Sequence, residues 1–331
     1  MQKLLGLLVL VASLVIGWYW MAYQNFLQTP LSIEEQGMVL QVERGSSLKS
    51  LANDLQQRGI LSNANYLYWH ARWYEQAHLI RAGEYRIPTG TTPPQLLEHL
   101  ISGETISYSL TLLEGWTFKQ VLAAVRNNEV LEHRLNGLSP AQVMARIGHA
   151  GGHPEGRFFP DTYSFPRGTT DVEFLQRAYD TMREHLLAAW ENRSDKAVVK
   201  TSYEALILAS IIERETGVPD ERGEIAGVFS RRLQKGMKLQ TDPTVIYGMG
   251  DRYQGNIRRS DLREDTPYNT YVHKGLPPTP ISMPGRASID AALDPKPGNS
   301  LYFVATGDGR HVFSATLQQH NAAVRKYQLK Q

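Results

Sequence analysis

Residues 206–217, LILASIIERETG, decide how the rest of the chain is read. From Leu206 to Ile212 only Ser210 is polar, and a helix that is apolar nearly all round has to be buried in a core. Glu213-Arg214-Glu215-Thr216 bring charge to its end, and Gly217 stands where a left-handed residue commonly stops a helix. Carboxylates therefore sit at the rim of a core. At about 100° per residue, Glu215 projects between Leu208 and the pair Ile211 and Ile212, while Glu213 falls nearer Leu206, Ala209 and Ser210. Glu215 thus extends the apolar stripe. Its charged form is disfavoured there, so its pKa is expected to rise, leaving a proton to give away as a general acid. The plainer alternative is a solvated acidic helix end, because Asp and Glu are common at exposed helix termini.

Outward from this helix, Asp171 to Trp190 is amphipathic through Val172, Leu175, Ala178, Met182, Leu186 and Leu187, and Ile225 to Leu233 is helical again. From Asp251 to Pro297 periodicity fades and Pro, Gly, Asn and Tyr dominate, the signature of a loop-rich region that builds a site. The chain closes with a buried-looking strand, Leu301 to Ala305, a Gly307-Asp308-Gly309 hairpin signal, a second strand at His311 to Phe313, and a helix from Leu317 through Tyr327. Toward the N-terminus one grammar recurs three times: a strand, a glycine, a Ser or Thr cap and a helix. Gly45, Gly90 and Gly115 each stand two residues before Ser47, Thr92 and Thr117. Between the first two units Asn65 to Leu79 reads as a second helix whose aromatics, Tyr66, Tyr68, Trp69, Trp73 and Tyr74, are expected to form its core, although such rings can also stack on sugars. The strand-helix-helix-strand unit resembles LysM carbohydrate-binding modules.

The first stretch is different in kind. Leu4 to Tyr23 is long enough to span hydrocarbon and ends in Trp18, Tyr19, Trp20 and Tyr23. Bulky aromatics in place of a small-x-small site argue for an uncleaved anchor rather than a secretory signal. Lys3 before it places the tail inside and everything after Ala22 outside. The fold expected is α+β: cytoplasmic tail 1–3, transmembrane anchor 4–23, polar linker 24–37, a small LysM-like subdomain over 38–108, and a larger mixed α/β catalytic domain with long loops over 109–331.

Composition narrows the function. With 331 residues there is room for two cores, and a net charge of +2 gives no field for nucleic acid. Cysteine is absent, which excludes disulfides, thiolate metal sites and Cys nucleophiles. No Walker loop, GxGxxG or HExxH occurs, and His273, His311 and His320 lack ligand spacing, so neither cofactor nor metal is expected. Ser46-Ser47-Leu48-Lys49 matches the SxxK pattern of penicillin-recognising enzymes, but Ser47 repeats Thr92 and Thr117 in position and is a helix cap. What remains is Glu215 with the loops after it. Gln240, Asp242, Tyr247, Tyr268, Asn269 and Tyr271 offer amides, hydroxyls and flat faces suited to a sugar groove. No second carboxylate is fixed by spacing; a lone acid suffices where the substrate supplies its own nucleophile.

Three stretches carry a resemblance. Ala209 to Thr216, Leu239 to Gly248, and Tyr268-Asn269-Thr270-Tyr271 with Gly275-Leu276-Pro277-Pro278, together with Leu301 to Val304, His311, Phe313, His320 and Asn321, resemble the MltG (YceG-like) family of endolytic murein transglycosylases. The resemblance implies a single-pass bacterial inner-membrane protein with a cytoplasmic N-terminus and a periplasmic catalytic domain. It implies a carbon–oxygen lyase that cleaves MurNAc-β-1,4-GlcNAc bonds within nascent strands, leaves 1,6-anhydro ends and ends strand elongation beside glycan polymerases. The family's catalytic glutamate falls on Glu215, with Glu213 the runner-up; Arg214 departs from the expected Lys but keeps the charge. The alternative is a non-catalytic, sugar-binding scaffold for wall-synthesis enzymes.

Overall fold

The structure, a computed structural model, describes residues 2–329. Met1, in the expected cytoplasmic tail, and Lys330 and Gln331, at the end of the expected catalytic domain, lie outside the described residues. Two compact units result. Among the described residues the first holds 2–109 with 130–132 and 164–169, and the second holds 110–129, 133–163 and 170–329.

In the first unit, α1 (Gln2–Gln28) exposes Leu, Val, Ile and aromatic side chains on every side as far as Met21, and it is long and apolar enough to cross a membrane. Its last turn behaves otherwise. Phe26 is buried with Leu31, and the Leu31 N–H donates to Thr91 O, so the stretch read as a polar linker is partly helix and partly core. Strand β1 (Met38–Val42) pairs antiparallel with β2 (Gly83–Ile87), Met38 facing Ile87 and Val42 facing Gly83. Leu40, Val42, Tyr85 and Ile87 point inward, as alternation requires. Helices α2 (Leu48–Gln57), α3 (Ala64–Trp73) and α4 (Pro93–Ser102) cover that face. Ser47 caps α2 by accepting the Ser50 N–H at 3.1 Å, and Thr92 shares a reciprocal capping box with Gln95. Gly45 and Gly90 take φ of +82° and +85° just before these caps, a conformation that a β-carbon would strain.

One expectation about this unit is corrected. Helix α3 ends at Trp73, not Leu79, and its core residues are Ala64, Leu67 and Ala71. Trp69, Trp73 and Tyr74 stand outside. Small residues let α3 lie close against α2, leaving no room between them for indole rings.

Strand β3 (Ser107–Thr111) pairs with β4 (Thr162–Pro166), and the chain passes between units along both. The second unit contains α5 (Phe118–Arg126), α6 (Pro140–Arg146), α7 (Asp171–Glu191), α8 (Ser202–Glu215), α9 (Pro219–Gln234), α10 (Asp242–Met249), α11 (Arg286–Leu293), the hairpin β5 (Tyr302–Ala305) and β6 (His311–Ser314), and α12 (Leu317–Tyr327). Everything is arranged about α8. Residues 205–212 are all buried, and α7, α9, α10 and α11 pack round it. Of these, α11 lies inside the stretch read as irregular; its eight residues are too short to register a period between Gly285 and the prolines after Leu293. The expected left-handed stop at Gly217 is also absent. Thr216 is extended at φ −142°, its Oγ1 accepts the Val218 N–H at 2.9 Å, and Gly217 is not left-handed. A side-chain turn ends the helix instead. In β5 only Val304 is buried, so the expected buried strand is one face of a half-covered hairpin.

Candidate active site around Glu215

Helix α8 is placed by its one polar interior residue. Ser210 Oγ donates to Ile207 O and accepts the Ile281 N–H at 3.0 Å, while Ser282 Oγ donates to Ser210 O at 3.1 Å. A loop is thereby fixed along the helix. At the charged end, Glu213 accepts the Gly285 N–H at 2.9 Å, and Arg214 donates to Gly115 O at 3.2 Å. The Glu114 carboxyl lies against Gly285, in the space a β-carbon there would take, so a larger residue would have to displace that side chain. Glu213 and Arg214 are thus occupied in holding loops, and Glu215 is left as the last helical residue.

Thr241 Oγ1 donates to Glu215 Oε2 at 2.6 Å. Thr241 is itself held: its N–H donates to Thr270 Oγ1 at 3.1 Å, and Thr244 Oγ1 donates to Thr241 O at 2.8 Å. Burial raises the Glu215 pKa above its ordinary 4.5; the Asp242 carboxylate adds to the rise, against the Thr241 bond and the charges of His311 and Arg232. The carbonyl end of α8 acts in the same direction, since its partial negative charge disfavours a carboxylate on the last turn. Although the residue keeps part of its surface accessible, the carboxyl itself is enclosed, and that is what sets the sign.

Two groups that the sequence reading did not assign to the site approach it. Arg232, buried on α9, donates to Leu239 O at 2.8 Å, to Lys238 O at 3.1 Å and to Leu301 O at 2.6 Å, and reaches Gln240 Oε1 at 3.3 Å. Its guanidinium lies 5.1 Å from the Tyr302 ring centroid. Glu221, in the first turn of α9, accepts the His311 N–H at 2.9 Å and pairs with His311 Nδ1 at 2.8 Å. Glu221 and His311 are 90 positions apart, a separation that no local pattern reveals.

The expected sugar-groove residues divide into two sets. Gln240, exposed and held at φ +52°, Asp242 and Tyr271 lie with Glu215. Tyr271 Oη donates to Asp242 Oδ1 at 2.7 Å, and burial followed by that bond pushes the phenol pKa up. A non-glycine residue at positive φ stores strain, and such residues concentrate at functional loops. Asn269 is buried and fully used, its amide donating to Glu264 O at 2.8 Å and Asp261 O at 3.1 Å and its Oδ1 accepting the Tyr271 N–H at 2.9 Å. It shapes the loop that carries Tyr271. Tyr268 Oη shares a hydrogen bond with Thr279 at 2.9 Å and packs edge-on against Tyr247, ring centroids 4.8 Å apart.

Tyr247 leads to a second buried acid. Its hydroxyl donates to Glu155 Oε2 at 2.9 Å, and the Phe118 N–H, at the start of α5, donates to Oε1 at 2.8 Å. Burial pushes the Glu155 pKa from 4.5 up to about 7. Glu155 and Tyr247 line a cavity of about 890 Å³ with Phe118, Leu122, Pro140 and His153, and Glu215 is not in its wall. Nothing in the sequence marks Glu155 as a buried acid, since its stretch carries no periodicity. Helix α10 links the two places: Thr241 immediately precedes it, and Tyr247 lies about 9 Å further along the helix.

The YceG-like family profile matches residues 40–326. An endolytic murein transglycosylase of Bacillus subtilis is 30% identical over 331 aligned positions, covering 95% of this chain and 91% of that protein. One from Streptococcus pneumoniae is 25% identical over 359 positions, covering 98% of this chain and 64% of that longer protein. A 2.6 Å crystal structure of a YceG-like protein from Listeria monocytogenes aligns with a TM-score of 0.52 at 28% identity, covering 87% of this chain and 99% of that one. A match that runs from the first strand into the last helix leaves one conclusion: the chain belongs to the YceG-like family.

Proposed function

We propose that the chain is a membrane-anchored peptidoglycan lytic transglycosylase with Glu215 as its catalytic acid and base. The observation that carries this reading is the Glu215 carboxyl, raised in pKa by burial at the end of α8 and held by Thr241. The relatives named endolytic murein transglycosylase support the substrate class. With Oε2 accepting from Thr241, Oε1 carries the proton. Glu215 gives that proton to the bridging oxygen as the bond from C1 of MurNAc to the bridging oxygen breaks, and the GlcNAc end leaves as an alcohol. The resulting carboxylate takes the proton of the C6 hydroxyl of the same muramyl ring, whose oxygen closes on C1. The product is a 1,6-anhydro end, and the acid is restored without water entering the balance. Gln240, Asp242 and Tyr271 flank the scissile sugar, Asn269 sets the loop behind Tyr271, and Tyr247 and Tyr268 brace α10. Glu213 serves the helix end.

Helix α1 is read as a single-pass inner-membrane anchor with the N-terminus in the cytoplasm, which puts Glu215 in the periplasm beside growing strands and the polymerases that make them. The unit β1-α2-α3-β2, two antiparallel strands with two helices between them, supports the LysM-like reading. Digestion of peptidoglycan by the full-length protein, read by mass spectrometry, tests the proposal. Anhydro-muramyl ends, one water lighter than hydrolysed ends, are expected from the wild type and from Glu213→Gln, with at least a hundredfold loss in Glu215→Gln. Undiminished product from Glu215→Gln would overturn the assignment. Reducing ends would make the enzyme a hydrolase, and no cleavage by any form would leave the scaffold.

A further inference from the structure

The aromatic rings at the outer side of α3 stand largely in the open. Trp73 is 86% exposed, Trp69 63% and Tyr74 60%. At about 100° per residue, Trp69 and Trp73 fall on one side of the line through Tyr66 and His70, and the core residues Ala64, Leu67 and Ala71 on the other. That line is where α3 meets α1. Tyr23 Oη bonds His70 Nδ1 at 2.6 Å and its ring meets Tyr66 edge-on at 5.8 Å, while Phe26 meets Tyr66 at 5.5 Å. Phe26 meets the Tyr66 ring, whereas Tyr23, one turn nearer the apolar stretch, reaches both Tyr66 and His70. Helix α3 therefore runs antiparallel to α1, with its C-terminal end toward that stretch. Trp73 lies about 4.5 Å beyond His70, and Trp20 lies about 4.5 Å beyond Tyr23 in the same direction. Both indoles therefore lie toward the same end of the paired helices.

Trp20, with Trp18 and Tyr19, is the exposed aromatic end of the apolar span, and rings of this kind settle at the headgroup level of a bilayer. We propose that α3 docks on the phospholipid surface beside α1, seating Trp73 and Trp69 among the headgroups as a second membrane contact of the N-terminal unit. This rests on reading α1 as a membrane anchor. Two further observations favour lipid over sugar for these rings. The concavity beside α3, about 690 Å³, is lined by Lys49, Tyr68, Arg72, Glu75 and His78 and includes neither tryptophan. The exposed indoles lie outside that sugar-sized hollow. Arg72 and Lys49, both at Tyr68, supply cations at the edge of the patch, the charge that anionic headgroups attract.

The test uses the whole chain in vesicles of phosphatidylethanolamine and phosphatidylglycerol. Because the chain has no cysteine, single spin labels can be placed cleanly at Trp73→Cys, Trp69→Cys, Ile16→Cys and Gln57→Cys. Gln57 is exposed and close in sequence to Ile60, which bonds Ser32 beyond the end of α1. Labels at 69 and 73 are expected to show an oxygen-to-nickel-chelate accessibility ratio several-fold above that at 57 and below that at 16. Equal ratios at 73 and 57, with 16 in hydrocarbon, would overturn the docking and leave the anchor intact. An aqueous label at 16 would overturn the anchor, and the docking with it. Immobilisation of the label at 73 by soluble glycan oligomers but not by lipid would assign the face to sugar and overturn the proposal.

Discussion

Helices α8 and α3 are both rich in large apolar side chains, yet one hides all of them and the other displays its largest. In α8, Leu206, Leu208, Ile211 and Ile212 are at most 1% exposed, and only the two ends of the helix emerge from the core. In α3 the core contacts come from Ala64, Leu67 and Ala71, and the indoles face out. The lesson concerns what surrounds a helix rather than how greasy it is. An aliphatic run without a polar face has nowhere to go but a core, whereas Trp and Tyr carry a polar edge and can rest between water and something apolar.

Truncation should separate the two helices sharply. Leu208→Ala is expected to lower stability by about 2–5 kcal/mol, since the cavity it leaves is walled by other buried aliphatics; urea unfolding of the full chain reads it, and a loss below 1 kcal/mol would mean that α8 is not tightly packed. Glu155 tests the rule for a polar group that is also buried. Its folded pKa, about 7 against 4.5, means the folded state holds a proton that the unfolded chain has released. Its stability contribution is therefore complete below pH 4.5, falls as pH rises toward 7 and is level above that, a loss on the order of 3 kcal/mol. Glu155→Gln should flatten that slope, as measured by unfolding at a series of pH values. An unchanged slope would assign it to another group. Smallest of all, Trp73→Ser is expected to move the unfolding midpoint by an amount equivalent to no more than about 0.5 kcal/mol. A large drop would show that the indole is packed after all.

Much of this architecture was legible beforehand, and for definite reasons. The apolar run of α8 admits one environment, so its burial and the rise in the Glu215 pKa followed from composition and angle. Gly45, Gly90 and Gly115 announced their helices because positive φ and a hydroxyl two residues later are local requirements. Illegible were the features made by distant segments meeting: the Glu221–His311 pair, the Glu155–Tyr247 bond and the buried face of α11. At α3 the large rings dominate the sequence, whereas the stripe that packs is Ala64, Leu67 and Ala71. At Gly217 a common stop signal was outcompeted by the neighbouring threonine.

The contrast between the two helices matters for function only if the enclosed end of α8 keeps its proton. Carbon-13 labelling of glutamate carboxyls, with Glu215→Gln to assign the signal, would follow that one group through a pH titration of the full-length protein. A midpoint well above 4.5 is the expected result. A midpoint at or below 4.5 would contradict it, because the carboxyl would then be ionised long before neutral pH and have nothing to donate.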